Sequence, residues 1–235
     1  MGNAFCEPDS PDYPKWTSWD VVKWKFEALK GRGNAYLFKY KDGWVIHNSQ
    51  RIKDAASKNS IPPLLLAGVA WAEVGGAPDL VDDAAFAARS FDYSGPDWID
   101  RNLTITSPPG KTSVGAVSIQ LRVAARELGL NFNSMTYEKQ VLLKECLESD
   151  KFNIDVVAIH LHGLILYDYP KADTSNLSDE QLIVAGSRYN RGTGRKLKEI
   201  VDSISAPRGT PSREYSSYGR RLLEHRDRVM KLLNQ

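Results

Sequence analysis

Residues 61–76 read IPPLLLAGVAWAEVGG, and this stretch decides the fold. From residue 64 to residue 72 the run is apolar on every face, which is typical of a buried helix. Pro62 and Pro63 suit the start of that helix, because the N–H that proline lacks would be unpaired in the first turn anyway. Gly75 and Gly76 are a natural C-terminal stop. We therefore expect a buried helix whose last turn carries one carboxylate, Glu73.

Further helices are expected on both sides of this stretch. Thr17 and Asp20 can form a capping box that opens a helix running to Leu29, and Ser178 with Gln181 forms a second such box. Other helices are expected over residues 49–58, 118–128, 137–149, 153–167 and 179–189. The last helix, which follows a loop at residues 203–219, has one apolar face.

One segment favours strands. Residues 36–40 and 44–47 are rich in aromatic and β-branched side chains, and Asp42-Gly43 between them suits a tight turn. The sequence thus predicts a mainly α protein with one small β-hairpin near the N-terminus. We expect an N-terminal extension at residues 1–60 packed on a main domain at 61–200, followed by a loop and an amphipathic helix at 201–235.

Composition narrows the class of protein. The chain has 235 residues, 42% of them apolar and 26% charged, and its net charge is +2. The composition is ordinary for a globular protein, and a net charge this small does not indicate a nucleic-acid-binding protein. No apolar stretch is long enough for a membrane span. The first 16 residues lack the basic and apolar regions of a secretory signal.

Few residues suggest a metal or a cofactor. His160 and His162 are two apart and would point to different faces of a helix, so we expect no shared metal site. No glycine-rich phosphate loop is present, and no cofactor is expected. Cys6 and Cys146 can pair if the protein works outside the cytosol, and two unpaired thiols are the alternative.

Glu73 stands out chemically. Apolar neighbours and the negative end of the helix dipole would both favour its protonated form. A carboxylic acid that stays protonated near neutral pH suits glycosidic cleavage, because the leaving oxygen must receive a proton. The alternative is a surface-facing glutamate at a frayed helix end.

Three further segments follow Glu73 in a recognisable order: residues 115–121 (GAVSIQL), the pair Asn153-Ile154, and residues 187–192 (SRYNRG). In order and spacing they resemble the soluble lytic transglycosylases and goose-type lysozymes of the lysozyme-like superfamily. The resemblance covers roughly residues 60–195 and implies a lysozyme-like helical domain.

The resemblance also implies roles for individual residues. Glu73 would be the catalytic acid/base. Ser118 and Gln120 would line the sugar cleft, and Tyr189 and Asn190 would lie beside Glu73 and the substrate.

The chain departs from the pattern of the family in three places. Val74 stands where serine usually follows the glutamate, and Gly115 lies further from Gln120 than is usual. Arg188 and Arg191 flank the Tyr-Asn pair, where small residues are commoner.

The reaction type depends on a second carboxylate, which in an inverting hydrolase lies roughly 6.5–9.5 Å from the acid. Candidates are Asp92, Asp97 and Asp100, while lytic transglycosylases, by resemblance, work with one glutamate. Hydrolysis and transglycosylation both stay open.

Aromatic side chains can pack against the pyranose rings of a bound glycan, and the candidates for this contact are Trp71, Tyr93 and Trp98.

The expected function is cleavage of peptidoglycan as a muramidase. Without a signal peptide, such an enzyme would be delivered by lysis or a dedicated apparatus to the periplasm or cell wall, as phage endolysins and type VI secretion effectors are. An effector implies an immunity protein and a component of the secretion apparatus as partners. The alternatives are a non-catalytic glycan-binding protein on the same fold and a glycosidase acting on chitin-like polymers.

Overall fold

The computed structural model describes residues 3–7, 11–75 and 112–235. This part of the chain is mainly helical, with one small antiparallel sheet, which confirms the predicted fold class. The helices are α1 (Ser18–Glu27), α2 (Ala35–His47), α3 (Ser49–Lys58), α4 (Pro63–Glu73), α5 (Leu121–Glu127), α6 (Tyr137–Leu147), α7 (Asp150–Asp168), α8 (Asp179–Arg191), α9 (Leu197–Ser205), α10 (Ser217–Glu224) and α11 (Arg226–Leu233). The strands are β1 (Ser113–Val114) and β2 (Ile119–Gln120).

The chain forms two compact units. The first unit comprises Met1–Lys41 and Glu73–Val156, and the second comprises Asp42–Ala72 and Val157–Gln235. The units thus alternate along the chain, whereas the division at residues 60 and 200 is sequential and stays a prediction. Within the described ranges, no helix combines the length and the apolar character needed to cross a membrane.

The hairpin predicted at residues 36–47 is wrong, because these residues form helix α2. Its buried residues include Leu37, Lys41, Trp44 and Val45, which follow one another at helical intervals. Burial of this face outweighs the turn preference of Asp42-Gly43. The sheet lies instead at β1 and β2, which pair in the register Ser113 with Gln120 and Val114 with Ile119.

In the first unit, the N-terminal segment is fastened to α6 and α7. A disulfide joins Cys6 to Cys146 in α6, so the pairing that the sequence left open is present. The carboxylate of Asp12 accepts a hydrogen bond from the Asp150 amide at the start of α7, at 2.9 Å. Asp150 in turn accepts one from the Tyr13 amide, also at 2.9 Å. Residues 3–7 and 11–16 therefore form an N-terminal strap that is held by one disulfide and by hydrogen bonds.

Helix α1 begins at the predicted capping box, in which Thr17 and Asp20 satisfy each other's backbone amides. It ends at Glu27, earlier than expected, and continues as a wider π-helical turn over Ala28–Arg32. Gly31 has a φ of 79°, a left-handed conformation that favours glycine and breaks the helix there. No residue of α1 is buried.

In the second unit, α8 and α10 approach each other closely. A Cβ at Gly219 would lie 2.0 Å from the carbonyl oxygen of Ile183, so only glycine fits. The predicted loop at residues 203–219 is wrong at both ends, because residues 203–205 belong to α9 and residues 217–219 belong to α10. A 3-10 helix, Pro211–Ser216, also lies within that range. The single C-terminal helix that was expected is divided in two at His225.

Candidate active site

Glu73 is the last residue of α4, whose residues from Leu65 to Trp71 are all buried. Its side chain is half-buried, and the following Val74 is only 1% exposed. This confirms the predicted buried helix that ends in a carboxylate. The chain turns directly afterwards at Gly75, which has a φ of 69°.

This turn lies against α2 in the first unit. A Cβ at Gly75 would be 3.1 Å from a side-chain carbon of Leu37 and 3.1 Å from one of Tyr40. Lys41 is four residues after Leu37 and therefore on the same side of α2. That lysine is 6% exposed and interacts electrostatically with Glu73.

Lys41 is an unusual neighbour for a candidate acid. Burial lowers the pKa of its ammonium group to about 8, and the nearby Glu73 carboxylate opposes that shift. An ammonium group beside a carboxylate favours the ionised carboxylate. The surroundings of Glu73 are therefore not purely apolar, as the sequence suggested. Sequence reasoning missed Lys41, because the predicted hairpin placed it beside a turn rather than on a buried helix face.

Ser118 and Gln120 belong to the small hairpin of the first unit. Both side chains are half-buried; Gln120 lies in β2, and Ser118 lies in the turn that leads into it. The Gln120 side-chain oxygen accepts a hydrogen bond from Arg122 Nε at 3.0 Å.

Asn153 in α7 holds the loop of this hairpin. Its side-chain oxygen accepts from the Val117 amide at 2.8 Å, and its side-chain nitrogen donates to the Val117 carbonyl at 3.1 Å. Gly115 has a φ of 87°, and a Cβ there would lie 2.3 Å from Asn153 Nδ2 and 2.4 Å from the Leu147 carbonyl oxygen. Gly115 and Asn153 are therefore residues that shape the hairpin.

Tyr189 and Asn190 lie near the end of α8 in the second unit. Tyr189 is half-buried, with its ring centroid 5.8 Å from that of His160, and Asn190 is exposed. The residue before them, Arg188, is 1% exposed and binds Asp168 through two hydrogen bonds of 2.7 and 2.8 Å. It also donates to the Arg195 carbonyl at 2.7 Å. Arg188 thus fixes the chain on both sides of the Tyr-Asn pair.

Trp71 is not available to a sugar, which corrects the expectation from sequence. The side chain is 5% exposed, and its Nε1 donates to Asp42 Oδ1 at 2.9 Å. Its ring packs against His225, with the centroids 4.4 Å apart. Arg228 binds the same Asp42 through two hydrogen bonds, so Trp71 belongs to a packed polar network in the second unit.

The remaining candidates lie outside the described residues. They are Tyr93, Trp98, Asp92, Asp97 and Asp100. Within the described part of the chain, no group of three histidine, cysteine or acidic side chains could hold a metal ion. In comparisons with known proteins, no family model, no curated protein and no solved structure matches the chain.

Proposed function

We propose that this protein cleaves the glycan strand of peptidoglycan as a lysozyme or lytic transglycosylase, with Glu73 as its general acid/base. The observation that supports this best is the carboxylate at the end of the buried helix α4, half-buried and in electrostatic contact with Lys41. Ser118 and Gln120, in the same unit as Glu73, would contact the sugars. The family resemblance alone gives Tyr189 and Asn190 a role in substrate binding.

The chemistry rests on two proton transfers. Glu73 gives a proton to the glycosidic oxygen as the bond to the sugar breaks. The carboxylate that this transfer leaves behind is stabilised by the ammonium group of Lys41, which makes the donation easier. Glu73 then takes a proton from the attacking group, which is water in a hydrolase or a hydroxyl of the same sugar in a transglycosylase.

A second candidate function is non-catalytic glycan binding on the same helical scaffold. Lys41 is the observation that favours it, since a permanently ionised Glu73 would be an ion-pair partner and could not donate a proton. A glycosidase for chitin-like polymers is a third reading, because such polymers carry the same N-acetyl groups.

The biological setting is part of the proposal. The Cys6–Cys146 disulfide suits an oxidising compartment, such as the bacterial periplasm or the cell surface. We infer an antibacterial effector or lysis protein delivered there, with an immunity protein and a secretion-apparatus component as partners.

The test compares the wild-type protein with Glu73→Gln on purified peptidoglycan, and mass spectrometry identifies the released muropeptides. Glu224→Gln is the matched control, because Glu224 also ends a helix but is exposed. We expect Glu73→Gln to lose roughly 10²–10⁴-fold in rate, the typical contribution of a general acid or base. Release at the wild-type rate by Glu73→Gln would overturn this assignment.

The products separate the remaining readings. Anhydro-muropeptides indicate a transglycosylase and reducing ends a hydrolase. A wild-type protein that sediments with peptidoglycan without releasing product is a binding protein. Cleavage of chitin oligomers in preference to peptidoglycan favours the third reading.

A further inference from the structure

Helix α1 and the turn after it carry an exposed apolar stripe. Its residues are Trp19, Val22, Phe26 and Leu29, whose exposed fractions are 79%, 57%, 55% and 87%. They follow one another at intervals of three, four and three residues, so they lie on one side of the helix. A contiguous apolar surface of this kind marks an interaction site, whereas scattered exposed apolar residues do not.

The helix is anchored through other residues, which leaves the stripe facing solvent. Tyr36 donates to Asp20 Oδ1 at 2.7 Å, and Trp24 Nε1 donates to Asn34 Oδ1 at 3.0 Å. The capping box fixes the start of the helix at Thr17. These contacts are polar and hold the helix without covering its apolar side chains.

Basic residues accompany the stripe. Residues 15–32 contain five basic and two acidic side chains, a net charge of +3. Lys23, Lys25 and Lys30 are exposed, and their ammonium groups lie 4.1–4.7 Å from the centres of aromatic rings. Both carboxylates of the segment are engaged by neighbouring side chains, Asp20 by Thr17 and Tyr36 and Glu27 by Arg32.

We propose that α1 is an interfacial helix that docks this protein on the surface of an anionic lipid bilayer. Tryptophan, phenylalanine and leucine on one side and lysines beside them are the composition of helices that lie in the headgroup region. Lysine stems can follow the apolar surface while their ammonium groups reach lipid phosphates. A second copy of the chain is a poor occupant, because it would bring two segments of net charge +3 together.

This docking does not depend on the proposed glycan cleavage. The test therefore uses the full-length oxidised protein and sedimentation with vesicles of phosphatidylglycerol and phosphatidylcholine in equal parts. Vesicles of phosphatidylcholine alone serve as the comparison. We expect binding to the anionic vesicles only, a blue shift of tryptophan fluorescence, and release at high ionic strength.

Two variants test the two halves of the surface. Trp19→Ser/Phe26→Ser removes apolar area and should weaken binding at least about tenfold. Lys23→Gln/Lys25→Gln/Lys30→Gln should weaken it about fivefold for each lysine removed. Leu166→Ser is the matched control, because Leu166 is an exposed apolar residue on α7 and should leave binding unchanged.

Folding and function are checked separately. Circular dichroism of the variants should match the wild type, because α1 contains no buried residue. Glu73→Gln should bind the vesicles like the wild type, whatever its effect on muropeptide release.

Equal vesicle binding by the wild type and the Trp19→Ser/Phe26→Ser variant would overturn the proposal. So would self-association, or capture by an acidic protein, in the absence of vesicle binding.

Discussion

The buried ion pair between Arg188 and Asp168 offers the sharpest test of the second unit. The two side chains are 1% and 3% exposed and share two hydrogen bonds. Arg188 also donates to the carbonyl of Arg195, so it joins α7, α8 and the chain that follows α8. Arg188→Met keeps an unbranched apolar stem and removes the charge and every side-chain donor.

The expected cost follows from what the substitution leaves behind. The Asp168 carboxylate would be buried without its cation, and a pair broken in this way typically costs about 3–5 kcal/mol. Arg188→Met/Asp168→Ala removes both charges and should recover part of that loss. Recovery should be incomplete, because the Arg195 carbonyl still lacks its donor.

Urea unfolding followed by circular dichroism measures these differences. The control is Asp202→Asn, which breaks an ion pair with Lys198 whose side chains are 60% and 82% exposed. An exposed pair of this kind is worth less than about 1 kcal/mol. A loss of stability for Arg188→Met no larger than that of the control would refute the description of Arg188 as a buried side chain in an ion pair with Asp168.

Three further perturbations test the first unit. Lys41→Met removes a lysine whose pKa is about 8 in the folded protein and about 10.4 in the unfolded chain. Burial of the charged ammonium group destabilises the folded protein in full below pH 8, and this cost disappears as the pH rises through the unfolded-state pKa. The stability that Lys41→Met gains over the wild type should therefore shrink by up to about 3 kcal/mol between neutral and alkaline pH, as measured by urea titration. Asn153→Ala leaves the Val117 amide and carbonyl unpaired, which should cost about 2–4 kcal/mol in the same assay and lower muropeptide release. Cys6→Ser opens a link across 140 residues and should cost about 5 kcal/mol by loop-closure entropy, measured with and without reductant.

Each of these has an outcome that contradicts it. A pH-independent difference between Lys41→Met and the wild type would mean that Lys41 titrates normally. Unchanged stability of Asn153→Ala would remove Asn153 from the support of the hairpin. If reductant leaves the wild type as stable as before, the disulfide does not hold the N-terminal strap.

Local patterns predicted the parts of the fold that local chemistry determines. The capping boxes at Thr17 and Ser178 are present, because each depends on residues three apart. Helix α4 follows its prolines and its apolar run. The hairpin predicted at α2 was wrong, because the prediction followed the turn preference of Asp42-Gly43. The buried residues of α2 recur instead at the three- to four-residue interval of a helix.

The sequence could indicate individual residues of the candidate site, but not which side chains lie next to them. Glu73 could be chosen from its position at the end of a buried helix. Lys41 could not, since it meets Glu73 only after α2 folds against the turn at Gly75. The partner of Arg188 is 20 residues away, and nothing local distinguishes Asp168 from other helical aspartates.

The link between Cys6 and Cys146 gives the protein the topology of a large ring with one long tail. A peptide bond cut anywhere inside the ring opens it without releasing a fragment, and the ring includes Glu73, Lys41 and the hairpin of Ser118 and Gln120. A nicked molecule would migrate as one species on a non-reducing gel and as two after reduction. While the disulfide is intact, Glu73, Lys41 and the hairpin therefore stay on one covalent molecule after a single cleavage inside the ring.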